Sequence, residues 1–568
     1  MNSRPAAALV LGLILAAGLA LRLWGLGFGL PNLHCRPDEG VLVHKALAMG
    51  QGDLNPHFFN YPSLHFYLLA GLYGAYYVAG QASGAFAGLQ EFERQYFADP
   101  STWYLLGRLA SALFGAASVA LVYLLGRHRG GERAGLMGAA FLAGALLHVR
   151  DSHFLTVDVP ATFYLLGALL LLWRYVAGSG RRCLWAAAIL LGLASSTKYN
   201  LGLFLPCVAL AAWWVPSGAG AGEPSWKRAG AAVAVAGAAF LAGSPFVLLD
   251  FPDFWRDLAY ERAHFAAGHG LDLGRGWSYL LSFSLPYGLG WPLLLAGLAG
   301  CLWLSRERRR EDWILLSGIL TYYAVAGSGR SVFLRYALPL VPLLCLTAGL
   351  WFSHLTRRWR PVWAGLAALG LVAPTAWAAG QHDRLVARTD TRVLAATWIE
   401  ANLSSHSRIA MLGSDYGYPQ LRPTREWLQE RLEDQRAAGL EARRLARALS
   451  LRDYPREPAY YVVELHPHDR LSQRSVWPEY STESLARQGV RWVLVHEHPL
   501  AYSRVDTAFQ AQLDRDAQLV YSIDPFVRPA GRPVYDPIDA YYAPIAGFAA
   551  VERPGPAIRI YRLGETSR

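Results

Sequence analysis

Eleven apolar stretches, most of them long enough to form a helix that enters a bilayer, dominate the first two thirds of this chain. The first runs from Ala6 to Trp24 behind Arg4. The others lie at 103–126, 134–148, 159–176, 183–197, 200–215, 229–249, 277–304, 312–327, 336–354 and 361–380. Basic clusters separate them: Arg127, Arg129 and Arg133; Arg174, Arg181 and Arg182; Lys227 and Arg228; Arg306 and Arg308 to Arg310; Arg357, Arg358 and Arg360. These clusters fall at every second connection, the pattern that membrane insertion imposes on cytoplasmic loops. The alternate connections (25–101, 148–158, 198–199, 250–276 and 328–335) then face outward, as does everything after Gly380. The N-terminus is placed in the cytoplasm and the C-terminal region outside it. The Ala6–Trp24 stretch is read as an uncleaved anchor and not a signal peptide, because it leads directly into an aromatic-rich loop.

One segment breaks the alternation. Residues 63–82, SLHFYLLAGLYGAYYVAGQA, are apolar enough to span, yet a span there would move every later basic cluster to the outside. The segment is therefore expected to be an interfacial or re-entrant helix within the first outer loop. The fold class that follows is a polytopic α-helical membrane protein of about eleven transmembrane helices, with interfacial helices in the first outer loop. Composition agrees: 53% of the 568 residues are hydrophobic and only 17% charged, against about 25% in soluble domains. The net charge of +11 does not indicate nucleic acid, because the basic residues sit chiefly where insertion explains them. Of the five cysteines only Cys35 falls in a watery loop, so no disulfide framework and no CxxC site is expected.

Beyond residue 380 the long apolar runs stop and charge becomes frequent. Strand-like runs appear at Tyr460 to Val463, Trp492 to Val495, Leu519 to Ile523 and Ile558 to Tyr561, separated by helical patterns such as Val393 to Asn402 and Glu426 to Leu449. The chain is thus divided into a membrane domain, 1–380, and an extracytoplasmic soluble α/β domain, 381–568. No GxGxxG, P-loop or internal repeat is present.

Three features of the outward connections carry possible chemistry. The first loop contains Arg36-Pro37-Asp38-Glu39-Gly40. Its adjacent carboxylates read either as a general base near the lipid surface or as the acidic first turn of a helix. The second loop runs from His148 to Asp158, and Asp158 precedes the Val-Pro that starts a span, where it can also serve as a cap. Arg150 and His153 on that loop suit an anionic ligand. Lys198 and Arg335 lie outside against the positive-inside trend, so a function is sought for them; two cations at membrane level can neutralise a lipid phosphate. Histidines 34, 44, 57, 65, 264 and 269, the HPHD run at 466–469 and HEH at 496–498 show no zinc spacing such as HExxH. No metal and no cofactor is assigned; a divalent metal is unsupported by spacing.

These motifs match a known pattern. RPDEG, then DLNPHFFNYPSLHFYLL (53–69), SHFLTVDVPATFYLL (152–166), TKYNLGLFLP (197–206) and RYALPLVPLL (335–344) resemble the polyprenyl-phosphate-dependent GT-C glycosyltransferases, which include the protein O-mannosyltransferase and aminoarabinose transferase types. The likeness covers most of the membrane part, and the tail matches only the habit of carrying an extra-membrane domain. The resemblance implies an inverting transfer of a sugar from a polyprenyl-phosphate carrier, on the outer face of the cytoplasmic membrane, to a protein, glycolipid or polysaccharide acceptor. It implies Asp38 as the catalytic aspartate with Glu39 its acidic neighbour, and Asp158 as the acid of the second outer loop. Lys198, with Arg335, Arg150 and His153, would contact the lipid phosphate, and Tyr61 and His57 the substrate in the first loop. His153 departs from the family habit of Arg at that place. Two other classes remain: a lipid or sugar transporter or flippase, and an assembly protein whose outer domain does the work. Against transport, the charged residues cluster in loops on one side, and no pair of matching halves is present.

Overall fold

The apolar runs are helical because nothing but internally bonded backbone is stable in hydrocarbon. A computed structural model describes residues 3–214, 224–439, 442–451, 454–466, 480–503, 505–527 and 531–564; of the HPHD run, 467–469 lie outside these. The chain forms two compact units, one of Met1–Leu26, Val41–Leu72 and Leu106–Asp383, the other of Gly27–Gly40, Tyr73–Leu105 and Arg384–Arg568.

In the first unit every apolar run forms helix, but not every run forms one unbroken helix. Among the described residues four helices are long and apolar enough to cross a membrane: Pro5–Leu23, Ser101–Gly130, Asp158–Val176 and Pro361–Asn402. A fifth arises if Gly276–Leu289 and Trp291–Glu307, bent by 116°, count as one span. Leu64–Ala82, the segment that broke the charge alternation, is helical but not among them. Length and composition therefore support fewer spans than the eleven expected, and the reasons are local. The run 134–148 divides at Ala145, which is extended, into Glu132–Gly144 and Leu146–Asp151. The run 229–249 divides at Ser244-Pro245. In the run 277–304 a π-turn over Leu280–Ser284 precedes a bend at Gly290, whose φ is 75°. Leu340–Leu355, at about 1.5 Å per residue, falls short of a hydrocarbon core of about 30 Å.

Small residues let these helices pack closely. A Cβ added at Gly192, in Arg181–Thr197, would lie 2.3 Å from the Ala236 carbonyl of Ser225–Gly243. At the basic end of the bundle, Arg129 donates two bonds of 2.7 Å to a buried Asp312, so one of the insertion-directing arginines also has a structural partner.

The second unit is built on a five-stranded sheet of β1 (Arg408–Leu412), β2 (Tyr461–Leu465), β3 (Val490–Glu497), β4 (Ala517–Ile523) and β5 (Ala557–Leu563), in the order β2-β1-β3-β5-β4. β1 is parallel to both β2 and β3, whereas β5 is antiparallel to β3 and β4. Alternation along β1 gives the sheet two apolar faces. Ile409 and Met411 pack with Ile399, Leu403 and Ile560; Ala410 and Leu412 pack with Val493, Phe509 and Leu513. Four of the strands coincide with the expected runs. The helical pattern 426–449 is instead two helices, Arg425–Ala437 and Arg443–Ser450, with Gly439 at φ 67° between them.

Candidate functional site

Each unit assembles its own share of the candidate residues. In the second unit Asp38 and Glu39 occupy the first turn of the helix Pro37–Met49, which proline starts and which acids suit through the helix dipole. Glu39 is buried, whereas the Asp38 side chain keeps 29% exposure. Beside them the Arg36 guanidinium is wholly buried; its Nη1 pairs with Asp539 and its Nη2 lies 3.8 Å from the Asp38 carboxylate. The segment leading to Asp38 is fastened within the same unit at several points. Asn32 Nδ2 donates to the Tyr418 carbonyl at 2.9 Å, the Leu33 amide donates to Gln420 at 2.6 Å, and Phe28 packs edge-on against Tyr541. Tyr418 and Gln420 follow β1 at the carboxyl edge of the parallel strands, where open α/β sheets usually take ligands. Here that edge holds a piece of the chain itself.

The same edge carries buried histidines that the sequence pattern did not explain. His496 donates from Nε2 to the Ser414 carbonyl at 3.1 Å and its Nδ1 meets the Ser503 hydroxyl at 2.9 Å, an arrangement that suits the neutral ring. Burial pushes its pKa down to about 3. His498 lies among the rings of Phe526, Tyr535 and Tyr542, and burial lowers it as well. Both rings are buried in the interior of the unit.

In the first unit the structure brings Asp158 and Lys198 together as an ion pair, the side chains 5% and 12% exposed. Asp158 opens the helix Asp158–Val176; Lys198 sits between Arg181–Thr197 and the 3-10 turn Tyr199–Phe204, in extended conformation. The ammonium also lies 5.3 Å from the centre of the Tyr336 ring. Asn200 donates to the Tyr322 hydroxyl at 3.0 Å, which donates in turn to the Tyr336 carbonyl at 2.9 Å, so the neighbouring backbone is fixed. Arg335 stacks on Phe333 at 4.4 Å. His65, to which no role was assigned, is buried and feels the Asp158 charge; its ring nitrogens lack hydrogen-bond partners among the described residues. Burial lowers its pKa to about 4. Only its place one residue inside the YPSLHF motif could have singled it out.

Arg150 and His153, which the sequence suits to an anionic ligand, are both buried. His153 is wholly buried, its ring nitrogens 2.9 Å from the carbonyls of Val149 and Trp24, with Asp383 at 3.7 Å. Arg150 is buried beside Asp151 and stacks on Phe154. Both help to hold the second loop. His57 adopts a φ of 45° and pairs with Asp53, and Tyr61 packs beside Phe58. Ligand atoms of His57, Asp250 and Asp253 lie within 4.8 Å of one another, a geometry able to hold a cation. Asn55 bonds Asp250 at 2.7 Å and Arg256 bonds Asp253 at 2.6 Å, so protein donors already meet both carboxylates.

Chemically, one unit offers a half-exposed carboxylate flanked by a fixed cation, and the other an ammonium held at the end of an apolar helix. Residues 59–253 match the family described as dolichyl-phosphate-mannose-protein mannosyltransferase. Among curated proteins no sequence matches. Among solved structures the chain is similar to ArnT from Cupriavidus metallidurans bound to undecaprenyl phosphate, with a TM-score of 0.52 and 15% identity over 98% of each chain. It is similar also to the archaeal oligosaccharyltransferase AglB from Archaeoglobus fulgidus in complex with an inhibitory peptide and a dolichol-phosphate. There the TM-score is 0.50 and the identity 12%, over 99% of this chain and 89% of that one. Against an Archaeoglobus fulgidus oligosaccharyltransferase in the apo form, 71% of this chain spans 62% of that one, less than two thirds, at a TM-score of 0.48 and 14% identity. At such identities the likeness shows the fold. The family match over 59–253 and the shared fold agree with the resemblance to polyprenyl-phosphate-dependent GT-C glycosyltransferases that the loop motifs carry, and the chain is a multi-pass membrane protein.

Proposed function

We propose that this protein transfers a sugar from a polyprenyl-phosphate carrier to an acceptor, with inversion, on the extracytoplasmic face of the cytoplasmic membrane. The N-terminus is cytoplasmic in this reading and the C-terminal region is not. Support comes from the family match over 59–253 and from the fold shared with ArnT and AglB, which were solved with undecaprenyl phosphate and dolichol-phosphate. The single observation that carries the reading is the Asp158–Lys198 pair at the rim of an apolar helix, since an ammonium in low dielectric is what a leaving lipid phosphate requires.

In the reaction the acceptor hydroxyl or amine loses its proton to the Asp38 carboxylate as its lone pair attacks the anomeric carbon. The bond from that carbon to the phosphate oxygen breaks through an oxocarbenium-like state, and its electron pair leaves on the phosphate. Lys198 stabilises the charge that develops there, assisted by Arg335. Glu39 and Asp158 are the acidic neighbours of the base and of the ammonium; Tyr61 and His57 are substrate contacts of the first loop.

The test is a membrane assay with a panel of radiolabelled polyprenyl-phosphate sugars, comparing the wild type with Asp38→Asn. A transferase releases free polyprenyl phosphate, and the variant is expected to lose two to four orders of magnitude in rate, as removal of a general base does. Wild-type transfer by a folded Asp38→Asn variant would show that Asp38 is not the base. Lipid crossing the bilayer with its sugar uncleaved would replace the transferase by a flippase.

A further inference from the structure

In the second unit a cavity of about 70 Å³ is lined by three arginines, Arg94, Arg422 and Arg456, and by the rings of Phe97 and Tyr454. Among the described residues no aspartate or glutamate lines it. A guanidinium stays charged at every pH a protein meets, so three around one cavity repel one another, and an anion seated among them relieves the repulsion. The carboxylates that two of them do meet lie off the cavity: Arg94 donates to Glu91 at 3.3 Å and Arg422 to Glu400 at 2.8 Å. Each of these bonds uses one of five N–H donors. The buried Nε of Arg422 has no hydrogen-bond partner among the described residues, and the exposed Arg456 pairs with no carboxylate among them. Contacts outside the cavity fix its walls. Arg425 donates to the Tyr454 carbonyl at 3.2 Å and to the Leu449 carbonyl at 2.8 Å. The helix Leu89–Ala98, which carries Arg94 and Phe97, is tied to Arg443–Ser450 by a bond of 3.1 Å from Arg447 Nε to Glu93.

We propose that this cavity binds the anionic group, a carboxylate or a phosphate, of an acidic saccharide. The volume is room for several water molecules, which one such group replaces. The planar fork of a guanidinium bonds either anion through two oxygens at once. Beside the charges the rings of Phe97 and Tyr454 meet at 5.6 Å and present an apolar surface to the C–H face of a sugar ring. A neutral sugar lacks the charge for the first contact, and a bare anion lacks the ring for the second. Arg94, Ala98 and Arg456 are exposed, so the cavity opens to solvent and one unit of a longer glycan can enter it. The choice of a saccharide over another carrier of the anion rests on the transferase reading; the anion site itself does not. The sequence does not display the site, because its arginines come from widely separated segments of the chain.

The test is isothermal titration of the purified full chain in detergent micelles with glucuronic acid, glucose 6-phosphate, glucose, inorganic phosphate and a blocked glutamate peptide. At least one of the two acidic sugars is expected to bind at least tenfold more tightly than glucose, inorganic phosphate or the peptide, and the one that does identifies the anion. Raising the salt from about 50 mM to about 500 mM is expected to weaken that binding at least threefold, because exposed charges are screened. Arg456→Gln, a change at an exposed side chain, is expected to weaken it at least fivefold, and Arg94→Gln to do the same. Phe97→Leu is expected to weaken the acidic sugar at least threefold and to leave inorganic phosphate unchanged. Acidic sugars that bind no better than glucose, or that bind the arginine variants as they bind the wild type, overturn the proposal. Inorganic phosphate or the glutamate peptide binding as tightly as the acidic sugars overturns it too, by leaving a bare anion site or a peptide site. The transferase reading fails separately, through the absence of released polyprenyl phosphate in the membrane assay, and the titration does not depend on that release.

Discussion

Lys198→Met removes the ammonium from Asp158 and leaves a carboxylate that is 5% exposed without its counter-ion. Breaking a buried pair from one side costs about 3–5 kcal/mol; because Lys198 itself is 12% exposed, the lower end, about 3 kcal/mol, is expected. Asp158→Asn strands the ammonium instead. Its long stem can turn toward water, so that loss is smaller, about 2 kcal/mol. The double variant removes both charges together and should lose only about 2 kcal/mol, well short of the sum. Denaturant titration of the full chain in detergent micelles gives the three values and hence the coupling. Transfer is expected to behave differently. The double variant is expected to recover stability without recovering rate, because the cation proposed to meet the phosphate is still gone, a loss of about two to three orders of magnitude in kcat. Additive stability losses would mean that the pair does not hold the helix end. Normal transfer by the double variant would mean that Lys198 plays no part at the phosphate.

Two further predictions concern the scaffold. A methyl group at Gly192 meets the Ala236 carbonyl at 2.3 Å, whereas at Gly237 nothing lies within 4 Å. Gly192→Ala should therefore destabilise by about 1–3 kcal/mol and Gly237→Ala should not, as thermal melts in micelles will show. His496 has a folded pKa lowered to about 3 against roughly 6.5 when unfolded, so the unfolded state binds the proton first. Its contribution to stability is present above pH 6.5 and is lost as pH falls toward 3, by about 1.4 kcal/mol per unit. His496→Gln should flatten the acid side of the stability profile by about one proton; an unchanged slope would show that the ring is not held neutral.

How much of this was legible in the sequence depends on the range of the interaction. Local patterns carried far. Each apolar run is helical, and four of the five strands lie where β-branched and aromatic residues alternate. β1 escaped notice because Arg408-Ile-Ala-Met-Leu412 is short and contains an alanine and a methionine, poor strand signals that burial between β2 and β3 overrides. Span number was less legible, since hydropathy averages over the Ser244-Pro245 break and the Gly290 bend that divide runs into shorter helices. Lys198 stood out because an outward lysine contradicts the charge rule, and the structure gives it Asp158 as a partner. Arg150 and His153 illustrate the converse. The sequence of this loop does not reveal its neighbours: Arg22, buried in the first helix, bonds His148 at 2.8 Å and the Trp24 carbonyl receives His153, so the loop turns inward. Such residues take their surroundings from segments more than a hundred positions away.

A similar consideration applies to the segment that carries Asp38. A carboxylate on a short loop beside a bilayer has few neighbours to fix it, and a loop base that drifts by even an ångström loses much of its effect. In this chain the carboxyl edge of a parallel sheet grips the segment 28–36 through Tyr418, Gln420, Tyr541 and Asp539, using the crevice that a free-standing α/β domain would offer to a ligand. On the reading of Asp38 as the base, what the second unit contributes is the fixing of the segment that carries it.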